Sequence, residues 1–156
     1  MFKGIKHISL IVVIFLFLGI GIYYTQFYTS EIMTNISLKP NDTPTINLGA
    51  SVYAKNCASC HGANLEGQIN WRQRDSNGYL PAPPHDESGH TWHHSDQYLF
   101  LMTKYGIEEI IGERYPNNMP AYKDVLTDNE IIAVLSYIKS TWPERIKLQH
   151  DLLNSR

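Results

Sequence analysis

The chain has 156 residues, 43% of them apolar, and a formal net charge of −2. That length fits one domain plus an extension, and the charge balance leaves no basic field of the kind that recruits nucleic acid. Only two cysteines are present, three positions apart, which excludes a disulfide-stapled scaffold.

The first element in chain order is apolar. Residues 1–7 carry Lys3, Lys6 and His7, and residues 8–24 then read ISLIVVIFLFLGIGIYY without a charge. A helix of that length is roughly 26 Å long at ~1.5 Å per residue, close to a hydrocarbon core of about 30 Å. Tyr23, Tyr24, Phe27 and Tyr28 form an aromatic belt at its exit. A transmembrane anchor is expected over 8–28. By the positive-inside rule 1–7 stays cytoplasmic, and the rest lies on the periplasmic side of the inner membrane. A cleaved signal peptide is the competing reading, with Gly19-Ile20-Gly21 as a small-x-small triplet, but bulky aromatic residues follow it. Both readings export the remainder, which carries 11 basic and 15 acidic side chains.

Residues 29–46, TSEIMTNISLKPNDTPTI, show no period and hold Pro40, Asn41, Asp42 and Pro44, so they read as a tether. The domain proper is expected over 47–156. Its first helix, 47–62, places Leu48, Val52 and Tyr53 on one face. A second, 95–106, starts at Ser95 and stops at Gly106. The third, 127–142, opens on a capping box of Thr127 and Glu130 and sets Ile131, Val134, Leu135 and Ile138 at helical spacing. Pro143 ends it or starts a final helix, 143–153. No stretch alternates with period two for long, so the fold class is all-α. Between Gly62 and His94 the chain is loop-like, and a loop that long in a compact domain calls for a function. A large buried ligand would hold it in shape.

Residues 57–61 read Cys-Ala-Ser-Cys-His, the C-x-x-C-H signature of haem c attachment. Cysteines three apart on one helical turn project to the same side and can form thioethers to both vinyl groups of one haem. The adjacent His61 then lies under the iron as an axial ligand. A thioredoxin-type site needs a βαβ context that this chain lacks. A zinc site needs a second ligand pair, for which His85, His90, His93 and His94 are irregularly spaced. Export also agrees with haem c, which is attached outside the cytoplasm.

Haem iron in electron-transfer proteins takes His/Met or His/His ligands. Of four methionines, Met1 is the start, Met33 lies in the tether and Met102 sits inside a helix as a core residue. Met119, 58 residues after His61, stands in a loop pinned by Pro116 and Pro120. It is the expected second ligand. The four histidines of PPHDESGHTWHH, 83–94, read as a polar or haem-edge loop and are not assigned.

With Cys57-Ala-Ser-Cys60-His61 and Asn118-Met119-Pro120 in place, the chain resembles a class I cytochrome c over roughly residues 47–142, of the membrane-anchored bacterial single-haem kind. Gly49, Tyr53 and Tyr137 resemble the residues that pack where that family's first and last helices cross. The resemblance implies one covalent haem c per chain with iron, and a proline carbonyl, from Pro83 or Pro84, accepting the Nδ1 proton of the ligand histidine. The insert between Gly62 and Leu80 departs from the family, and its Trp71, Arg72 and Arg74 are candidates for the haem propionates or plain surface. A six-coordinate iron implies a one-electron carrier in a membrane-bound respiratory chain and no enzyme activity. Its partners would be a quinol–cytochrome c oxidoreductase and a haem–copper oxidase, or an exported dehydrogenase or oxidase of which it is a subunit. A ligand-binding haem sensor or enzyme and a copper or zinc chaperone are the alternatives from other classes.

Overall fold

The computed structural model describes residues 12–24, 36–112 and 115–155. They divide into two units, Met1–Asn35 and Ile36–Arg156. In the first unit residues 12–24 are helical (α1), and every one of them is exposed. Among the described residues no helix is long and apolar enough to cross a membrane. The expected cytoplasmic segment 1–7, both ends of the expected anchor and the first part of the tether, through residue 35, lie outside the described residues.

The second unit is helical, with no strand among the described residues: α2 (Thr43–Asn56), α3 (Ala58–His61), a 3₁₀ turn (Thr91–His93), α4 (Asp96–Tyr105), α5 (Ile107–Ile111), α6 (Asp128–Ser140) and α7 (Glu144–Asn154). Helix α2 begins four residues before the expected position 47. Asp42 accepts the Thr45 N–H at 3.0 Å, and Pro44 sits in the first turn, where its missing N–H costs nothing. The segment before α2 also differs from a tether. Leu38 is only 6% exposed and its N–H reaches Asp96 Oδ2 at 2.8 Å. The next N–H, of Lys39, reaches Ser136 Oγ at 2.9 Å. The tether expected over 29–46 therefore stops by Ile36.

Helix α6 is the centre of the core. Thr127 Oγ1 accepts the Glu130 N–H, and the Glu130 carboxylate accepts the Thr127 N–H, which completes the expected capping box. Its apolar stripe of Ile131, Val134, Leu135 and Ile138 is at most 5% exposed, each side chain contributing about 1.5–3 kcal/mol by burial. Helix α2 crosses it at Gly49. A Cβ there would stand 2.0 Å from the Ala133 carbonyl oxygen and 2.8 Å from Tyr137 Cβ. Only hydrogen lets the two backbones approach so closely. Tyr53, one turn on, meets Tyr137 at 5.6 Å between ring centres.

Helix α4 starts as expected, with Ser95 accepting the Tyr98 N–H. It stops at Gly106, whose φ of 87° suits a residue without Cβ. The short α5 that follows was not expected. Behind Pro143, α7 packs on the 3₁₀ turn and buries His150 completely. The His150 ring donates through Nε2 to the His94 carbonyl at 2.8 Å and stands edge-on to Trp142. Asn154 links it to Asp96, the carboxylate that also receives Leu38.

Candidate haem site

Cys57, Cys60 and His61 occupy a single helical turn formed by α3 and its N-cap. Two phenols hold the ends of this turn. Tyr122 Oη donates to the Asn56 carbonyl at 2.7 Å, just before Cys57. Tyr53 Oη donates to the Gly62 carbonyl at 2.8 Å, just after His61. Both thiols are free, Cys60 exposed and Cys57 partly buried against the core. Burial, with a smaller contribution from neighbouring Cys60, pushes the Cys57 thiol up to about 11.

The His61 ring is 8% exposed. Its Nδ1–H donates to the Pro83 carbonyl at 2.8 Å, one of the two prolines expected for that role. Burial lowers the imidazole pKa against the opposing effect of this bond, so the neutral form prevails. In that tautomer Nε2 carries the lone pair. His85 stacks on the same ring at 4.0 Å and 21°. Its Nδ1 shares a hydrogen bond with Thr91 Oγ1, and its carbonyl accepts the Trp142 indole N–H at 2.8 Å. Burial keeps the His85 pKa well below the ordinary value. The sequence placed His85 in an unassigned loop. The Cys57–Gly62 turn gave no local sign that a ring 24 positions away would back the histidine.

Met119 lies on the irregular segment between α5 and α6 and packs, partly buried, against the same core cluster as Cys57. Its N–H donates to Asn117 Oδ1 at 3.1 Å, and Asn117 Nδ2 donates to the Tyr115 carbonyl at 2.8 Å. Met119 also lines an open hollow of about 260 Å³ with Tyr105, Gly106, Ile107, Glu108 and Asn117. Three residues later Tyr122 makes its bond to Asn56, so one phenol ties the methionine segment to the cysteine turn. Tyr122 was missed in the sequence because its partner is 66 positions away. Its backbone N–H also holds to the Thr103 carbonyl of α4.

The remaining histidines pack on aromatic rings and on one another, with His90 edge-on to His94 at 5.5 Å between ring centres. His90 stacks on Trp71 at 5.6 Å, His93 on Trp92 at 3.7 Å and His94 on Tyr98 at 4.6 Å. Among the described residues no three of His, Cys, Asp or Glu converge to hold a metal ion.

Two cysteines on one turn beside an imidazole anchored through Nδ1, with Nε2 presenting a lone pair, fit a c-type haem. The comparisons agree. A family model for cytochrome c matches residues 46–142, and the chain belongs to that family. It is 32% identical over 104 residues to cytochrome c-552 of Thermus thermophilus, covering 65% of this chain and 72% of that one. Over 96 residues it is 25% identical to the cbb3-type cytochrome c oxidase subunit FixP of Sinorhizobium medicae, covering 61% of this chain and 29% of FixP. No solved structure matches it significantly. The fold is thus the all-helical one of a class I c-type cytochrome. The protein is a cytochrome c electron carrier with covalent haem c and its iron, and Cys57 and Cys60 fit the attachment motif.

Proposed function

We propose that the chain carries single electrons in a membrane-bound respiratory chain, with His61 and Met119 as the axial ligands of the haem iron and Cys57 and Cys60 as its thioether attachments. The observation that carries this reading is the bond from His61 Nδ1–H to Pro83, which leaves Nε2 as the ring nitrogen able to bind iron. When bound, haem c supplies a one-electron Fe(II)/Fe(III) couple. The chain's residues set its terms. Tyr53 and Tyr122 hold the attachment turn in place, and Pro83 and His85 hold the His61 ring. Met119 offers a thioether, which raises the potential relative to a second histidine. With both axial positions taken by side chains, no coordination site remains for a substrate.

In this reading the apolar run 8–28 anchors the protein in the inner membrane, its N-terminus cytoplasmic and its haem domain on the periplasmic side. Along 12–24 the large apolar side chains are exposed all round, Phe15 at 68% and Phe17 at 71%, a pattern suited to lipid rather than water. Anchoring raises the effective concentration at membrane partners. The donor would be a quinol–cytochrome c oxidoreductase or an exported dehydrogenase. Similarity to an oxidase subunit supports a haem–copper oxidase as acceptor.

The test is Met119→Ala. The weak near-infrared sulfur–iron band of the ferric protein should vanish, and the potential should fall by on the order of 0.1–0.3 V within the ~0.8 V that axial ligands command. Survival of the band removes Met119 as the ligand. A high-spin, ligand-binding ferric wild type favours a haem sensor instead. For the anchor, the haem domain should stay with membranes through an alkaline wash, and release into the supernatant rejects it.

A further inference from the structure

The insert between Gly62 and Leu80, which departs from the family pattern, is a built structure rather than slack chain. Its neck is closed by Gln68, whose N–H reaches the Ala82 carbonyl and whose Oε1 receives the Ala82 N–H, both at 2.9 Å. Its tip is a turn organised by Asp75. That carboxylate accepts the N–H groups of Asn77 at 2.8 Å and Tyr79 at 2.9 Å. Trp71 stacks on His90 on one side of the insert. On the other, Arg74 donates to the Gly78 carbonyl and lays its guanidinium over the Tyr115 ring, 5.1 Å from the ring centre. That is within the reach of a cation–π pair. None of the ion pairs among the described residues uses Arg74.

From Tyr115 the contacts run directly to the methionine. The Tyr115 carbonyl receives Asn117 Nδ2, and Asn117 Oδ1 receives the Met119 N–H. We infer that Arg74 is a positioning residue for Met119: clamped to the insert through Gly78, it presses on Tyr115 and so holds the Tyr115–Met119 segment closed. The inference rests on Met119 being the second axial ligand. A planar guanidinium suits this role better than an ammonium, because it can stack on the ring while bonding to a carbonyl. The insert then works as a strap whose grip on the methionine segment sets how readily the iron–sulfur bond opens.

The experiment uses the full-length, haem-loaded protein and cyanide as a probe of an opened sixth position. Arg74→Gln and Tyr115→Leu should each speed cyanide binding to the ferric form by about fivefold, the scale of a partly exposed cation–π pair. Tyr115→Phe, which keeps the ring, should leave the rate unchanged. The double variant Arg74→Gln/Tyr115→Leu should be no faster than either single one, since both act through one contact. An unchanged rate in Arg74→Gln overturns the proposal, as does additive behaviour in the double variant. So does a shifted potential with unchanged cyanide binding, which would make Arg74 a propionate partner. Arg74 is exposed, so its replacement leaves the core intact, and an unchanged denaturant midpoint checks this. Met119→Ala separates the two readings. If it leaves the near-infrared band in place, the ligand assignment has failed. If it removes the band while Arg74→Gln changes nothing, only the strap has failed.

Discussion

The two sides of the haem site are built differently. His61 is buried, fixed through Nδ1 to Pro83, backed by the His85 ring and carried on a turn whose ends are tied by Tyr53 and Tyr122. Met119 sits partly buried on irregular chain beside an open hollow, with one hydrogen bond from its N–H to a side chain of its own segment. The constraints on His61 and its turn come from three separate parts of the fold, Tyr53 of α2, the Pro83–His85 segment and Tyr122, whereas those on Met119 are mostly local. A ligand held from several directions keeps its geometry when any one contact is lost. In the proposed ligation the histidine side therefore sets the position of the haem, and the methionine side sets the chemistry that can be adjusted.

The strongest way to break this contrast is His61→Ala. It should abolish the low-spin spectrum in both oxidation states and cut the yield of haem-loaded protein by more than the roughly 10–100-fold that loss of an outer partner costs a metal site. Absorption spectra of the purified protein check it, and a normal low-spin form would mean that the two sides are equivalent. Gly49→Ala is next. It attacks the frame that presents His61 by driving a methyl group into the Ala133 carbonyl. A loss of about 3 kcal/mol, at the upper end for overpacking, should appear in denaturant unfolding.

Acid sharpens the comparison from a third direction. Burial and the nearby Lys139 ammonium lower the His150 pKa below its ordinary value of 6.5, while Asp96, the bond to His94 and Asp151 oppose them. Below that pH the unfolded chain takes up a proton that folded His150 resists, so the unfolded state binds more protons. Stability is then full above pH 6.5 and falls as pH drops through it, with a limiting slope of ~1.4 kcal/mol per pH unit for one imidazole. His150→Gln should flatten this fall in unfolding curves taken at pH 7, 6 and 5. The smallest effect expected is that of Thr127→Ala, which removes the α6 cap. It should cost about 1 kcal/mol of stability and leave both the Met–iron band and the potential where they were.

What the sequence disclosed depended on the distance between partners. The α6 capping box spans three residues, the cysteines and histidine lie on one turn, and each was readable where it stood. The start of α2 is also written locally, in Asp42 and Pro44, although the stretch around them has no period and reads as a tether. Other features rest on partners far along the chain. Leu38 docks through Asp96, 58 positions on, and Lys39 through Ser136, 97 positions on. No periodicity announces such bonds. The insert is an intermediate case: its turn residues marked a loop, but nothing local showed that Arg74 would meet Tyr115.

The docking of residues 36–39 also decides where the chain can be cut. A soluble fragment starting at residue 47, where the first helix seemed to begin, would lose the first turn of α2 and its Asp42 cap. It would also strip Leu38 from the core and leave the Asp96 carboxylate without that donor beside the buried imidazole of His150. Scission before Ile36 spares all of these. The folded cytochrome thus reaches about ten residues further toward its N-terminus than the segment matched to its family, and those residues belong to the electron carrier itself.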